Sequence, residues 1–120
     1  MDQLKKTAVI GAGTMGHGIA QFFAMNDIPV SLVDQNQEML DKAKDTVKTN
    51  LETMVALGEL EKEKIGTILD QIDFTPDIEQ AVEGVQLVTE AVNENLDLKK
   101  SIFKQLGQLT RADVVLATNT

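Results

Sequence analysis

At 120 residues, with 42% hydrophobic side chains, the chain is long enough for one domain with a real core and too short for two ordinary ones. A formal net charge of −8 argues against nucleic acid and anionic membrane as partners, since both reward a basic face. The absence of cysteine excludes disulfides and thiolate metal sites, and no apolar run approaches the ~20 residues of a bilayer span.

The first six residues lack the apolar core of a secretion signal, so a cytoplasmic location is expected. Thr7 to Ile10 is short, partly β-branched and ended by Gly11, which predicts a buried strand. A helix is predicted over Thr14 to Met25, with Met15, Ile19, Phe22 and Phe23 packed on a sheet. Asn26-Asp27 would end it, since both residue types tolerate the left-handed conformation of a helix stop. Pro29 precedes a second strand, Val30 to Val33, which closes on Asp34. A long helix follows from Gln37 to Leu57, capped by Asn36 and stopped at Gly58. Its apolar positions Met39, Leu40, Ala43, Val47, Leu51, Met54 and Val55 keep helical steps. Glu61 to Asp70 reads as a charged amphipathic helix, and Ile72 to Phe74 as a third strand. Pro76-Asp77 opens a brief helix to Val82, and Val85 to Ala91 is the fourth strand. Leu96 to Leu109 is predicted helical with Ile102, Phe103 and Leu106 inward, and Val114 to Ala117 is the fifth strand.

Strands alternating with helices imply an α/β fold: a doubly wound parallel sheet of Rossmann type, with right-handed crossovers and both faces covered. Residues 1–120 form one such domain, without repeats or an internal linker. The chain stops within a few residues of a strand end, where ligand-contacting loops begin in such sheets, so the expected domain is incomplete.

Gly11-Ala12-Gly13-Thr14-Met15-Gly16 is a GxGxxG element between strand and helix, and Asp34 follows Gly16 by 18 residues. Each part has a mechanical purpose in a dinucleotide site. The first glycine permits the tight turn, the second lets backbone approach a pyrophosphate, and the third lets helix and strand pack closely. The first-turn N–H groups and the positive end of the helix dipole face the phosphates. Asp34 has two readings, a cap for the next helix or a ligand for ribose hydroxyls. Asn36 can serve as the cap, which favours ribose. A carboxylate there repels a 2′-phosphate, so the cofactor is expected to be NAD rather than NADP. Gln35 lies beside Asp34 at the same strand end and joins the expected cofactor-binding set.

The single histidine, His17, sits in the first turn of the phosphate-facing helix and reads as an exposed helix-face residue, without companions for a metal site or a nucleophile pair. Glu52, Glu59, Glu61 and Glu63 read as a solvated face. The segment from Glu90 to Lys100 is a second polar concentration. Its spacing fits a helix start capped by Asn95 and equally fits cofactor contact. Neither a catalytic group nor a metal site emerges from these residues.

Three stretches together resemble the NAD-binding domain of L-3-hydroxyacyl-CoA dehydrogenases, and within them the bacterial 3-hydroxybutyryl-CoA dehydrogenases. They are Val9 to Gln21 with the glycine loop; Glu90-Ala91-Val92-Asn93-Glu94-Asn95-Leu96 with Lys99 and Phe103; and Leu116-Ala117-Thr118-Asn119-Thr120. The resemblance runs from about Thr7 to Thr120. The glycine loop is shared by many dehydrogenases, whereas the Glu-Ala-x-x-Glu-Asn-Leu block and the Asn-Thr ending are much more specific. The resemblance implies reversible, NAD-linked oxidation of an L-3-hydroxyacyl-CoA to the 3-oxoacyl-CoA, in fatty-acid or butanoate metabolism. It implies that Ala91, Glu94 and Lys99 contact the cofactor and that Asn119 lies near the nicotinamide and substrate. It also implies that the catalytic serine, the histidine base, its orienting glutamate and a helical, dimer-forming domain lie beyond Thr120. The 120-residue chain is then expected to bind NAD without catalysing. Three positions depart from the family pattern. Asp27 replaces a glycine at the helix stop, and Thr118 replaces a serine. Thr53, Ala56, Leu57 and Glu59 occupy a stretch where relatives carry lysines for the CoA phosphates. That last departure keeps two alternatives open, a free hydroxy-acid dehydrogenase resembling carnitine dehydrogenases and a non-catalytic dinucleotide-binding module.

Overall fold

The computed structural model describes residues 5–91 and the backbone of residues 115–118. Its elements in chain order are β1 (Thr7–Ile10), α1 (Thr14–Met25), β2 (Val30–Val33), α2 (Gln37–Ala56), α3 (Lys64–Asp70), β3 (Ile72–Thr75), α4 (Ile78–Val82), β4 (Leu87–Glu90) and β5 (Val115–Thr118). The five strands pair in parallel in the order β3-β2-β1-β4-β5. The chain starts in the middle of the sheet, builds outward through β2 and β3, then returns to the other side of β1. That reversal makes the carboxyl ends of β1 and β4 a topological switch point, the place where open α/β sheets hold ligands.

Both central strands are buried along their whole length, as parallel strands between two helical layers must be. Their side chains alternate between two cores. Val9, Val30 and Leu32 pack under α1, α2 and α3 with Leu40, Ala43, Val47 and Leu51. Ala8, Ile10 and Val33 pack on the opposite face with Ala81, Val82, Val85 and Val88. The apolar positions predicted for α2 are therefore its core face, with Met39 and Met54 at the margin.

On α1 the packing differs from the sequence-based expectation. The side against the sheet is Gly16, Ala20 and Ala24, while Met15 and Phe22 are 57% and 64% exposed. Ile19 and Phe23 are half-buried at its edge. Small side chains at i, i+4 and i+8 let the helix axis approach the strands, and larger ones would hold it off.

The remaining differences concern boundaries. α3 begins at Lys64 rather than Glu61, because residues 62 and 63 form a turn. β3 extends to Thr75, and β5 covers Val115–Thr118. β4 is confined to Leu87–Glu90, since Gly84 turns at φ 74° and Val85 packs in the core before the strand starts. The expected helix from Leu96 to Leu109 lies outside the described residues. The helix stops behave as the residue types require. Asp27 adopts φ 60° after α1, and Gly58 adopts φ 76° after α2. No helix among the described residues is long and apolar enough to cross a membrane.

Candidate functional site

Three helices start at carboxyl ends of strands, and their N-termini are treated differently. Asn36 caps α2 by accepting from the N–H groups of Glu38 and Met39, and Glu38 adds an acid to the first turn. Asp77 caps α4 by accepting from Gln80 N–H, with Glu79 in its first turn. α1 has neither: its N-cap is Gly13, without a side-chain cap bond, and its first turn carries no acid. The first intrahelical bond runs from His17 N–H to Gly13 O at 3.0 Å, so the amides of Thr14, Met15 and Gly16 precede the helical ladder. Positive dipole and unladdered amides thus converge where an anion would be stabilised most.

The glycines around that N-terminus have distinct purposes. Gly11 adopts φ 105°, a conformation that disfavours a side chain, and its N–H donates to Val33 O at 2.7 Å, pinning the turn to β2. Gly16 faces Gly11: a Cβ at residue 16 would lie 1.6 Å from Gly11 O. A Cβ at Gly13 would meet no heavy atom within 4 Å, so that side of the loop is open.

Asp34 stands at the end of β2, half-buried, with both carboxylate oxygens engaged. Oδ2 accepts from Ala12 N–H at 3.0 Å, and Oδ1 accepts from Asn36 N–H at 2.9 Å. Of the two readings of Asp34, capping α2 falls to Asn36, while Asp34 joins the glycine loop to the α2 cap. A carboxylate offers about four lone-pair directions, so two backbone donors leave capacity for hydroxyl donors from a ligand. The Asp34 N–H itself donates to Thr75 O at 3.4 Å. Sequence reasoning does not single out Thr75; the signal is a strand-end threonine ahead of Pro76, whose hydroxyl accepts from Asp77 N–H at 3.1 Å.

Gly11, Ala12, Gly13, Gly16, Asp34 and Ala91 accordingly gather at the ends of three adjacent strands, with Ala91 N–H donating to Ile10 O at 2.8 Å. Thr14, Met15 and Gln35 are exposed at the rim. Glu94, Lys99 and Asn119 lie outside the described residues. His17 is half-buried rather than exposed: its Nδ1 lies 2.9 Å from Gly13 O, a carbonyl that can only accept, so in this contact Nδ1 donates. Glu52, Glu59, Glu61 and Glu63 are all exposed, as a solvated face requires. No cluster of metal-ligating side chains occurs among the described residues. The arrangement offers open amides for a diphosphate and, across the β1–β2 edge, a carboxylate for a diol.

Comparison with known proteins adds a chemical context. A profile of the family described as "3-hydroxyacyl-CoA dehydrogenase, NAD binding domain" matches residues 6–120. A probable 3-hydroxybutyryl-CoA dehydrogenase of Deinococcus radiodurans is 41% identical over 115 residues, which is 96% of this chain and 41% of that protein. The crystal structure of (S)-3-hydroxybutyryl-CoA dehydrogenase from Ralstonia eutropha is similar with a TM-score of 0.93 at 30% identity, over 98% of this chain and 41% of the other. A structure of a diketoreductase, described as acting on dicarbonyl compounds, is similar with a TM-score of 0.87 at 35% identity, over 100% of this chain and 43% of the other. The chain spans about two fifths of the length of these relatives.

Proposed function

The chain belongs to the NAD-binding domain family of 3-hydroxyacyl-CoA dehydrogenases, and from that premise we propose that it is the cofactor-holding part of a longer enzyme. That enzyme would interconvert an L-3-hydroxyacyl-CoA and the 3-oxoacyl-CoA. NAD is the cofactor of the family. The observation that carries the reading is the uncapped N-terminus of α1 beside the doubly bonded Asp34, at the switch point of a parallel sheet.

The residues fit a dinucleotide on three counts: the open side of Gly13, the unladdered amides of Thr14 to Gly16, and a carboxylate with unused acceptor directions. Gly11, Ala12 and Gly13 shape the loop, and the following amides bind the pyrophosphate. Asp34, with Gln35 beside it, takes the ribose hydroxyls and repels a 2′-phosphate. Met15, Ala91, Glu94, Lys99 and Asn119 complete the cofactor set. When bound, the nicotinamide supplies the hydride acceptor for oxidation of a secondary alcohol. The chain's own contribution is to hold and orient; the proton-abstracting base belongs to the remainder of the longer polypeptide. The 120-residue chain would therefore bind NAD without turnover. The longer protein would be a cytoplasmic homodimer, formed through its remaining domain.

One observation favours a second reading. Thr53 and Ala56 in the last turn of α2, with Leu57 and Glu59 just after it, are all exposed, Leu57 at 69%, and none carries a positive charge for CoA phosphates. A substrate that is a free oxo acid or dicarbonyl, like the compounds named for the related diketoreductase, needs no such charge. The test is NADH oxidation by the full-length gene product with acetoacetyl-CoA and with free 3-oxo acids, beside the 120-residue chain. Turnover of the thioester by the longer protein alone supports the first reading. Turnover of free acids alone replaces it with the second.

A further inference from the structure

The N-terminus of α1 is held by a different device from those of α2 and α4. In the latter two the side chain of the N-cap residue, Asn36 or Asp77, accepts from first-turn amides and so occupies them. Gly13 has no side chain for this, and a Cβ there would meet no heavy atom within 4 Å. A glycine in an open position is weakly restrained backbone. Its carbonyl is held instead. Gly13 O accepts from the backbone N–H of His17 at 3.0 Å and from the imidazole Nδ1 of the same residue at 2.9 Å. The first is the opening bond of any helix, and the second comes from this one side chain. His17 is half-buried, which shields the contact in part from competing water.

The effect crosses the peptide plane. The Gly13–Thr14 peptide is trans, and a planar trans peptide sets its C=O and N–H antiparallel. With Gly13 O drawn along the helix toward residue 17, the Thr14 N–H points out of the N-terminus. Side-chain bonds of this kind occur elsewhere in the chain. Thr46 and Thr53 donate from Oγ1 to the carbonyls of Lys42 and Thr49, four residues back, at 2.9 and 3.0 Å. Those carbonyls belong to peptides inside α2, which the helical ladder fixes through both C=O and N–H. The Gly13–Thr14 peptide is fixed by the ladder through its C=O alone, so a second donor there restrains a plane that is otherwise held from one side.

We propose that His17 is a positioning residue for the dinucleotide's diphosphate. Its ring, bonded to Gly13 O, sets the peptide plane that aims the Thr14 amide at the ligand. His17 thus does for α1 what a capping side chain does for α2 and α4, but from the carbonyl side, and the amides stay open to an anion. The inference rests on the preceding reading that a dinucleotide binds at this loop, and the experiment separates the two.

NAD and ADP are titrated calorimetrically into the full-length gene product and into its His17→Ala, His17→Leu and His17→Thr variants. Leucine fills the half-buried space without a donor. Threonine is smaller but offers a hydroxyl to the carbonyl four residues back, as Thr46 and Thr53 do. Alanine and leucine should weaken both ligands roughly fivefold, the worth of one ordinary hydrogen bond, and threonine should restore most of that loss. Alanine and leucine are better helix formers than threonine, so an effect through helix stability alone would rank the variants in the opposite order. Melting temperatures measured alongside show which order stability takes. Affinity that follows melting temperature rather than the donor overturns the proposal, as does affinity restored by leucine and not by threonine. A loss confined to NAD, with ADP binding intact, also overturns it by placing the effect away from the diphosphate. A parent protein that binds neither ligand defeats the dinucleotide reading and this inference with it. A parent that binds both, matched by His17→Ala, defeats the inference alone.

Discussion

Replacing Gly16 with alanine tests the central packing of the site. The added Cβ would lie 1.6 Å from Gly11 O and 2.7 Å from Gly11 C. A methyl carbon needs roughly 3.2 Å from a carbonyl oxygen, so α1 must retreat by about 1.5 Å. The oxygen cannot yield instead, because Gly11 is pinned by its own bond to Val33 O at 2.7 Å. Retreat lifts Ala20 and Ala24, both fully buried, from the sheet. A gap of that size forfeits half or more of their contact energy. We expect destabilisation of about 3 kcal/mol or more, and a melting temperature lower by roughly 10 °C for a domain of this size. NAD affinity should fall with it, since the first-turn amides move with the helix. Gly18→Ala is the matched control: its Cβ meets nothing within 4 Å, and alanine in a helix is favoured over glycine by up to about 1 kcal/mol. Thermal unfolding and calorimetric NAD titration of both variants decide the matter. A Gly16→Ala protein that melts within about 2 °C of the parent and binds NAD equally well would refute the packing argument.

Three further outcomes are expected. Asp34→Ala removes the proposed ribose ligand and leaves the Ala12 N–H, on a residue only 3% exposed, without its acceptor. NAD affinity should drop about 100-fold and stability by about 1–2 kcal/mol, and unchanged affinity by calorimetry would remove Asp34 from the site. Gly13→Ala should separate binding from folding. The backbone there, at φ −71°, accepts a side chain and the space is open, so melting should hold while the methyl group obstructs the pyrophosphate and weakens NAD binding; parent-like affinity would show that the phosphates approach elsewhere. Asp27→Gly relieves a left-handed residue at φ 60° and should raise stability by about 0.5–1 kcal/mol in chemical denaturation, a loss of stability being the contrary result.

The strands and the glycine loop are legible in the sequence because their signals are local. Val9-Ile10 against Gly11, or Asn36 ahead of Gln37, carries its own conformational preference. The face of α1 is not legible in that way. Its buried residues Gly16, Ala20 and Ala24 are small, and a reading that weighs hydrophobic bulk selects Met15 and Phe22, which are exposed. The start of α3 is misjudged for a related reason, since helix-favouring Glu61 and Lys62 also suit the turn that precedes Lys64. Asp34 is recognisable from its spacing, but its bond to Ala12 depends on how β1 and β2 register, a property of the sheet rather than of either segment. The polar residues beyond Ala91 rest on resemblance alone.

The two bonds of Asp34 also constrain how this domain could evolve. In the proposed site, one side chain would set the charge that a ribose phosphate meets, and it anchors the backbone of the loop that would cradle the diphosphate. A lineage moving toward a phosphorylated cofactor cannot discard the charge without also loosening the cradle. The accessible first steps are neutral residues that still offer an oxygen to Ala12 N–H, asparagine or serine, before any arginine arrives to welcome the phosphate. Cofactor preference and loop shape are therefore inherited together.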